Sequence, residues 1–192
     1  MHVAKKVRVA TTKVGVAKNS GFTLIELLVV MAIIGILAVI AIGSFTSSQI
    51  KARDASRKSD LEQIGRALEI YYSDKDEYPD HSVDFEIIGC DVKPAICKWG
   101  AQWSDGSTTI YMAELPMDPT PGLFYHYLSD GVSYQLYARL GNDQDQSIPT
   151  DSGDPANYSI DCGSCGDSSC DCNYGVSSSN KTVGDGRTIV PD

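Results

Sequence analysis

Glu26 is a carboxylate at the edge of an apolar run, a place where charge is costly. From Leu27 through Ile50 no residue is charged, and Leu27 to Ile42 is almost continuously aliphatic. Insertion scales put an acid at the centre of such a span at about 2.5–3.5 kcal/mol, less near its edge, so a retained one marks a function or a specific partner. A plain anchor has no use for it. An amine at Phe22, created by a cut after Gly21, is a natural partner, and a negative charge near a helix N-terminus is favoured by the macrodipole as well. Other groups offer less. The six cysteines, Cys90, Cys97, Cys162, Cys165, Cys170 and Cys172, suit disulfides if their part of the chain is exported. Four late thiolates could instead hold zinc, although Cys-x-Cys is an unusual second pair. His81 and His126 are the two histidines beyond His2, and no Gly-x-Ser-x-Gly, phosphate-loop or His-Glu-x-x-His sequence occurs, so no enzymatic activity is expected.

The elements that position Glu26 follow from hydropathy. A bilayer core of about 30 Å needs about 20 apolar residues in a helix, which this run can supply. It is too long for an ordinary secretory signal. Lys5, Lys6, Arg8, Lys13 and Lys18 precede it with no acid among them, and such residues bias orientation toward the cytoplasm. The remainder is then exported. The formal net charge of −9 becomes −14 once the leader is removed, because 16 basic residues fall to 11 against 25 acidic ones. So acidic a remainder argues against direct nucleic-acid binding.

Gly21-Phe22-Thr23-Leu24-Ile25-Glu26, with its basic leader and long apolar run, resembles the processing signal of bacterial type IV pilins and type II secretion pseudopilins. The likeness covers Lys18 to about Pro79 closely and Leu115-Pro-Met-Asp-Pro119 weakly. It implies cleavage after Gly21 by prepilin peptidase, N-methylation of Phe22, and pairing of Glu26 with the Phe22 amine of a neighbouring subunit. The implied partners are further copies of the chain in a homopolymer, the prepilin peptidase/methyltransferase, a pilus or secretion assembly platform and the membrane. Its localisation would be the inner membrane with a cytoplasmic N-terminus, then a surface or periplasmic filament. The resemblance also allows a structural calcium on oxygens of Asn142, Asp143 and Asp145 with Asp151 and Asp154, though the glycine and bidentate glutamate of an EF-hand loop are missing.

The predicted organisation is a leader, 1–21; a membrane or filament-core helix, 22–45; its amphipathic continuation, 46–74; an α+β head, 75–140; and an acidic, cysteine-bearing loop region, 141–192. Ala55, Leu61, Ile64, Ala67, Leu68 and Tyr71 fall on one helical face. Lys51, Arg53, Arg57 and Lys58 form a basic cluster off it that could meet lipid headgroups or acidic neighbours. Pro79 forbids continuation of the helix, and Val83 to Ile110 reads as a connection. Phe124–Leu128 and Ser133–Leu140 read as strands joined by a Gly131 turn, the second alternating as a sheet buried on one face. The fold class is α+β: a long N-terminal helix on a small antiparallel sheet with a disulfide-stapled C-terminal loop. Cys90 and Cys97 pair across six residues. The last four cysteines allow three pairings; the nested one, Cys162–Cys172 with Cys165–Cys170, is adopted.

The expected function is a structural subunit of a type IV pilus-type extracellular filament. The alternatives are the major pseudopilin of a type II secretion system and a membrane-tethered binding protein that never polymerises.

Overall fold

The computed structural model describes residues 21–90, 95–151, 153–165, 168–185 and 190–191, apart from the side chains of 40–44 and 190–191. The leader up to residue 20 lies outside the described residues. The chain divides into two compact units, Met1–Ser44 and Phe45–Asp192. Helix α1, Leu24–Lys75, contributes to both.

In the first unit every described large apolar side chain of the helix is exposed, from Leu24 to Val39. The end of the expected membrane span falls on side chains outside the description. Among the described residues no helix is long and apolar enough to cross a membrane.

In the second unit the pattern becomes amphipathic. Leu61, Ile64, Ala67, Leu68 and Tyr71 are buried, as their spacing predicts, whereas Ala55 is exposed. Asp76 ends the helix with φ 58, its N–H donating to the Tyr72 carbonyl at 2.8 Å. That left-handed residue satisfies an orphan carbonyl of the last turn.

The connection after Pro79 is more structured than expected. It holds two small antiparallel hairpins, β1 Ile87–Ile88 with β2 Ile96–Cys97 and β3 Trp103–Ser104 with β4 Ile110–Met112. The Cys90–Cys97 disulfide ties the first. Trp103 stacks on Tyr71 at 5.6 Å between ring centroids, so the second hairpin caps the helix stripe.

The central sheet has the order β11-β6-β5, with β5 His126–Ser129, β6 Tyr134–Ala138 and β11 Tyr174–Ser177. The β5–β6 turn is held by Asp130, whose Oδ1 accepts from the Ser133 amide at 2.8 Å, while Gly131 takes φ 81. Tyr134, Leu136 and Ala138 join the helix stripe in the main core with Trp103, Tyr111, Leu115, Tyr125 and Tyr127.

The one-sided burial predicted for β6 does not hold, since all five of its residues are buried. Its second face is covered by the C-terminal region, where Tyr137 packs with Tyr158, Ile160, Cys162 and Cys172. Gln135 Nε2 donates to the Thr182 carbonyl at 2.8 Å and the Tyr137 hydroxyl to that of Val183 at 2.6 Å.

The region after Gly141 therefore differs from the expected loop. It forms β7 Thr150–Asp151, β8 Asp154–Asn157, β9 Asp161–Cys165, β10 Ser168–Asp171, the third strand of the head sheet and β12 Val190–Pro191. Composition misled because its few apolar side chains converge. Ala156, Tyr158, Ile160 and Cys162 occupy alternate positions and all are buried. Oxidised cysteines pack there as small apolar residues. Cys162–Cys172 and Cys165–Cys170 are bonded, which leaves no thiolate for zinc among these four.

Candidate functional site

Gly21, Phe22 and Thr23 precede the helix, and Thr23 caps it. The Thr23 amide donates to Glu26 Oε2 at 2.8 Å, its hydroxyl donates to the same oxygen at 2.6 Å, and the Glu26 amide donates back to Thr23 Oγ1 at 3.3 Å. This reciprocal capping box satisfies two amides that a helix start otherwise leaves unpaired. Glu26 thus has a partner in its own chain, which the reading of a lone acid overlooked. The Thr-x-x-Glu spacing was the signal for it.

The capping leaves room for a second partner. A carboxylate has about four lone-pair sites, and Oε1 accepts no hydrogen bond among the described residues. Phe22 is 88% exposed, and nothing lies within 4 Å of where a Gly21 Cβ would be. Among the described residues nothing therefore obstructs the Gly21–Phe22 bond.

The basic cluster on the helix is sorted by the head into committed and uncommitted members. Arg57 is buried and its fork is filled. Nε and Nη2 donate to the two oxygens of Asp118 at 2.8 and 2.9 Å, Nη1 to Asp54 at 2.7 Å, and Nη2 also to Thr120 Oγ1 at 2.8 Å. Burial opposes the charge, but the carboxylates of Asp118 and Asp54 outweigh it and hold the guanidinium above its ordinary value. Asp54 also accepts the Gly141 and Asn142 amides, both at 2.9 Å, which seats the start of the C-terminal region on the helix. Sequence reasoning missed both acids. Asp54 stands three residues before Arg57, a helical pair spacing, and Asp118 lies in Leu115-Pro-Met-Asp-Pro119.

Lys58 donates to Asp145 Oδ1 at 2.6 Å and to Ser147 Oγ at 2.5 Å. The ammonium, helped by Ser147, lowers the Asp145 carboxyl to about 2. Asp143, the other calcium candidate, faces Arg139 Nη2 at 3.5 Å. Both acids thus face cations of the chain itself, and Asp151 and Asp154 sit in the β7–β8 pair. Among the described residues no three His, Cys, Asp or Glu side chains converge as a group that could hold a metal ion.

The remaining candidates pack rather than converge. His126 is buried and stacks on Phe85 at 3.8 Å between centroids. His81 Nδ1 lies 3.0 Å from the Ser129 carbonyl oxygen.

Two family models match the chain in succession. The prokaryotic N-terminal methylation motif covers residues 16–42, and type II secretion system (T2SS), protein G covers 44–156, more than half of the chain. The chain belongs to the type II secretion system protein G family. Among protein G relatives, the type II secretion system core protein G of Pseudomonas aeruginosa is 33% identical over 73% of this chain and 96% of its own length. That of Aeromonas hydrophila is 32% identical over 67% and 90%. The type IV major pilin protein PilA of Myxococcus xanthus is 46% identical, but over 33% of this chain and 29% of its own. No solved structure matches. The protein G match ends at residue 156, so the third strand of the head sheet and two of the three disulfides lie beyond it.

Proposed function

We propose that the chain is the repeating structural subunit of a type IV pilus-type filament. It is made as an inner-membrane precursor with a cytoplasmic N-terminus, cut after Gly21 by prepilin peptidase and methylated on Phe22. Glu26 then neutralises the Phe22 ammonium of a neighbour. One observation carries this reading: the helix from Leu24 to Val39 presents exposed apolar side chains with no polar face to turn toward water. The hydrophobic effect at about 25 cal/mol per Å² makes such a surface untenable in solution, so lipid first and other copies later must cover it. An ammonium and a carboxylate sharing that apolar setting each remove the other's cost as an unpaired charge. The role is structural, with no catalytic step.

The secretion form of the filament is the second reading. The protein G relatives of Pseudomonas aeruginosa and Aeromonas hydrophila align over 96% and 90% of their length, whereas the pilin relative aligns over 29% of its own. That favours a pseudopilin head, while the region beyond residue 156 is additional to the family match.

Glu26→Ala tests the assembly step. Processed, methylated subunits are expected to accumulate in the membrane with filaments lost; filaments at normal abundance would refute the assigned role, and a non-polymerising tether would retain full function. Mass spectrometry of sheared surface material reads cleavage separately, through methylated Phe22. Deleting the gene separates the two filament forms by whether surface filaments or exported proteins disappear.

A further inference from the structure

Tyr125 and Tyr127 join the main core, and alternation sends His126 between them to the opposite face of the sheet, where its ring meets that of Tyr137 at 6.3 Å between centroids. On that face a cavity of about 330 Å³ opens between the loop before β1, the entry to β5 and the turn into β9. Its lining divides by chemistry. Val83, Phe85, Phe124 and Ile160 supply an apolar wall, and Asp84 and Asp161 supply two acids. Three non-glycine residues take positive φ among the described residues: Asp76 ends the helix, and the other two, Phe85 at φ 60 and Ser159 at φ 52, both line this cavity. Such a backbone is an outlier for a bulky residue and persists only where the surroundings hold it. Here the Phe85 carbonyl accepts from the Tyr127 amide at 2.9 Å, and the Ser159 amide donates to Asn157 Oδ1 at 3.0 Å. The acids are uncommitted. Asp84 gives its amide to Ser82 Oγ, but its carboxylate has no hydrogen-bond or ion-pair partner among the described residues. Asp161 Oδ1 accepts from the Gly163 amide at 2.8 Å, and its Oδ2 accepts nothing among them.

We propose that this cavity binds a lysine side chain of a partner polypeptide, with an apolar residue next to that lysine. Two free carboxylates beside an apolar wall, in a remainder of net charge −14, are complementary to a cation on an apolar stem. An ammonium fits better than a guanidinium. A planar fork is matched by both oxygens of one carboxylate. Here the acids come from separate loops and Asp161 offers one oxygen, which suits a compact ammonium that donates in three directions. The four methylenes of lysine lie along Phe85 and Ile160 while the head stays at the acids. The adjacent apolar residue covers Val83 and Phe124, both exposed in the chain alone. Every lining residue belongs to the second unit and the face is opposite the helix stripe, so the proposal does not rest on the filament reading.

The test uses the full chain in uncharged maltoside micelles, with isoleucine ¹³C-methyl groups as reporters. Ile160 lines the cavity, and Ile64 in the main core is the internal control. The probe is the blocked dipeptide acetyl-Lys-Leu-amide. A saturable shift of Ile160 is expected, with Ile64 unmoved. Replacing the probe's lysine by norleucine keeps the stem, removes the ammonium and should weaken binding about tenfold; Asp84→Asn should weaken it roughly threefold, as the loss of two and of one solvent-facing pairs implies. Because Asp84 is exposed and its carboxylate is unpaired among the described residues, Asp84→Asn should leave the fold intact. Absence of a saturable shift, equal binding of the norleucine probe, or indifference to Asp84→Asn overturns the proposal. Equal binding of n-butylamine overturns it by assigning the cavity to free amines. Shifts that grow with protein concentration without any probe overturn it too, by assigning the cavity to another copy of the chain. Glu26→Ala must leave the Ile160 response unchanged, which keeps this test separate from the assembly test.

Discussion

Two stretches of one helix are both rich in leucine and isoleucine, yet their surroundings are opposite. Between Leu24 and Val39 the large apolar side chains are exposed, whereas Leu61, Ile64, Leu68 and Tyr71 are buried by the head. The difference lies in pattern rather than content. The later stretch confines its apolar residues to a stripe and gives the other faces to Glu62, Gln63, Arg66 and Glu69, which are exposed. The earlier stretch is apolar on all sides, and no single small head can enclose it. Burying one Leu or Ile side chain contributes about 1.5–3 kcal/mol. Leaving many uncovered forfeits more than the whole stability of a typical domain, about 5–15 kcal/mol. That imbalance is the physical ground for the proposed placement of the first stretch in lipid or a filament interior.

The comparison breaks most sharply at Arg57, the one cation buried on the covered stretch. Arg57→Ala leaves Asp54 and Asp118 buried without their partner, and removing one member of a buried ion pair costs about 3–5 kcal/mol. Unfolding of the full chain in micelles, followed by the fluorescence of buried Trp103, should register this loss. A change below 1 kcal/mol would mean that the fork adds nothing to the seating of the head.

A paired substitution sharpens the same contrast. Leu68→Ala, at a fully buried position, should destabilise the head by about 2–5 kcal/mol. Leu28→Ala, at a position 60% exposed, should change the same unfolding by less than about 0.5 kcal/mol. Equal effects would show that the first stretch packs within its own chain.

Much of this was legible from residue types. The stripe at Leu61, Ile64, Ala67, Leu68 and Tyr71, the two strands flanking Gly131, and the α+β class all follow from periodicity and turn chemistry. What was hidden depended on contacts made from far along the chain. Alternation at β6 predicted one buried face, and the other is covered by Tyr158, Ile160, Cys162, Cys172 and Val183; the polar composition after Gly141 disguised the alternate Ala156, Tyr158, Ile160 and Cys162. The capping box of Thr23 and Glu26 was readable but lay behind the expectation of a partner in another subunit. The pairing of Arg57 with Asp118, sixty-one residues apart, was not readable, because the spacing to Asp54 sets Arg57 apart from exposed Arg53 but nothing local points to Asp118.

The smallest expected effect lies at the edge of the covered stretch, where Lys58 holds Asp145. Its carboxyl is lowered from the ordinary 3.8 to about 2 by the Lys58 ammonium and by Ser147. An acid depressed in the folded chain stabilises the fold fully above its ordinary value and loses that contribution as pH falls through the folded one. The 145–147 turn should therefore loosen between about pH 4 and pH 2. Asp60 acts with the opposite sign, because burial raises its carboxyl despite the hydrogen bond from Tyr125, so its contribution declines as pH rises. Global melting mixes the two, and a local probe separates them. The Ser147 amide donates to Asp145 Oδ1 at 3.0 Å, and its exchange protection should fall across that window. Lys58→Gln removes the ammonium, so the loss should begin at higher pH and be smaller. Protection that persists to pH 2 in both proteins would locate the clamp at Asp54 instead, whose oxygens hold the Gly141 and Asn142 amides a few residues earlier. The covered stretch would then owe its hold on the C-terminal region to one buried acid rather than to two successive contacts.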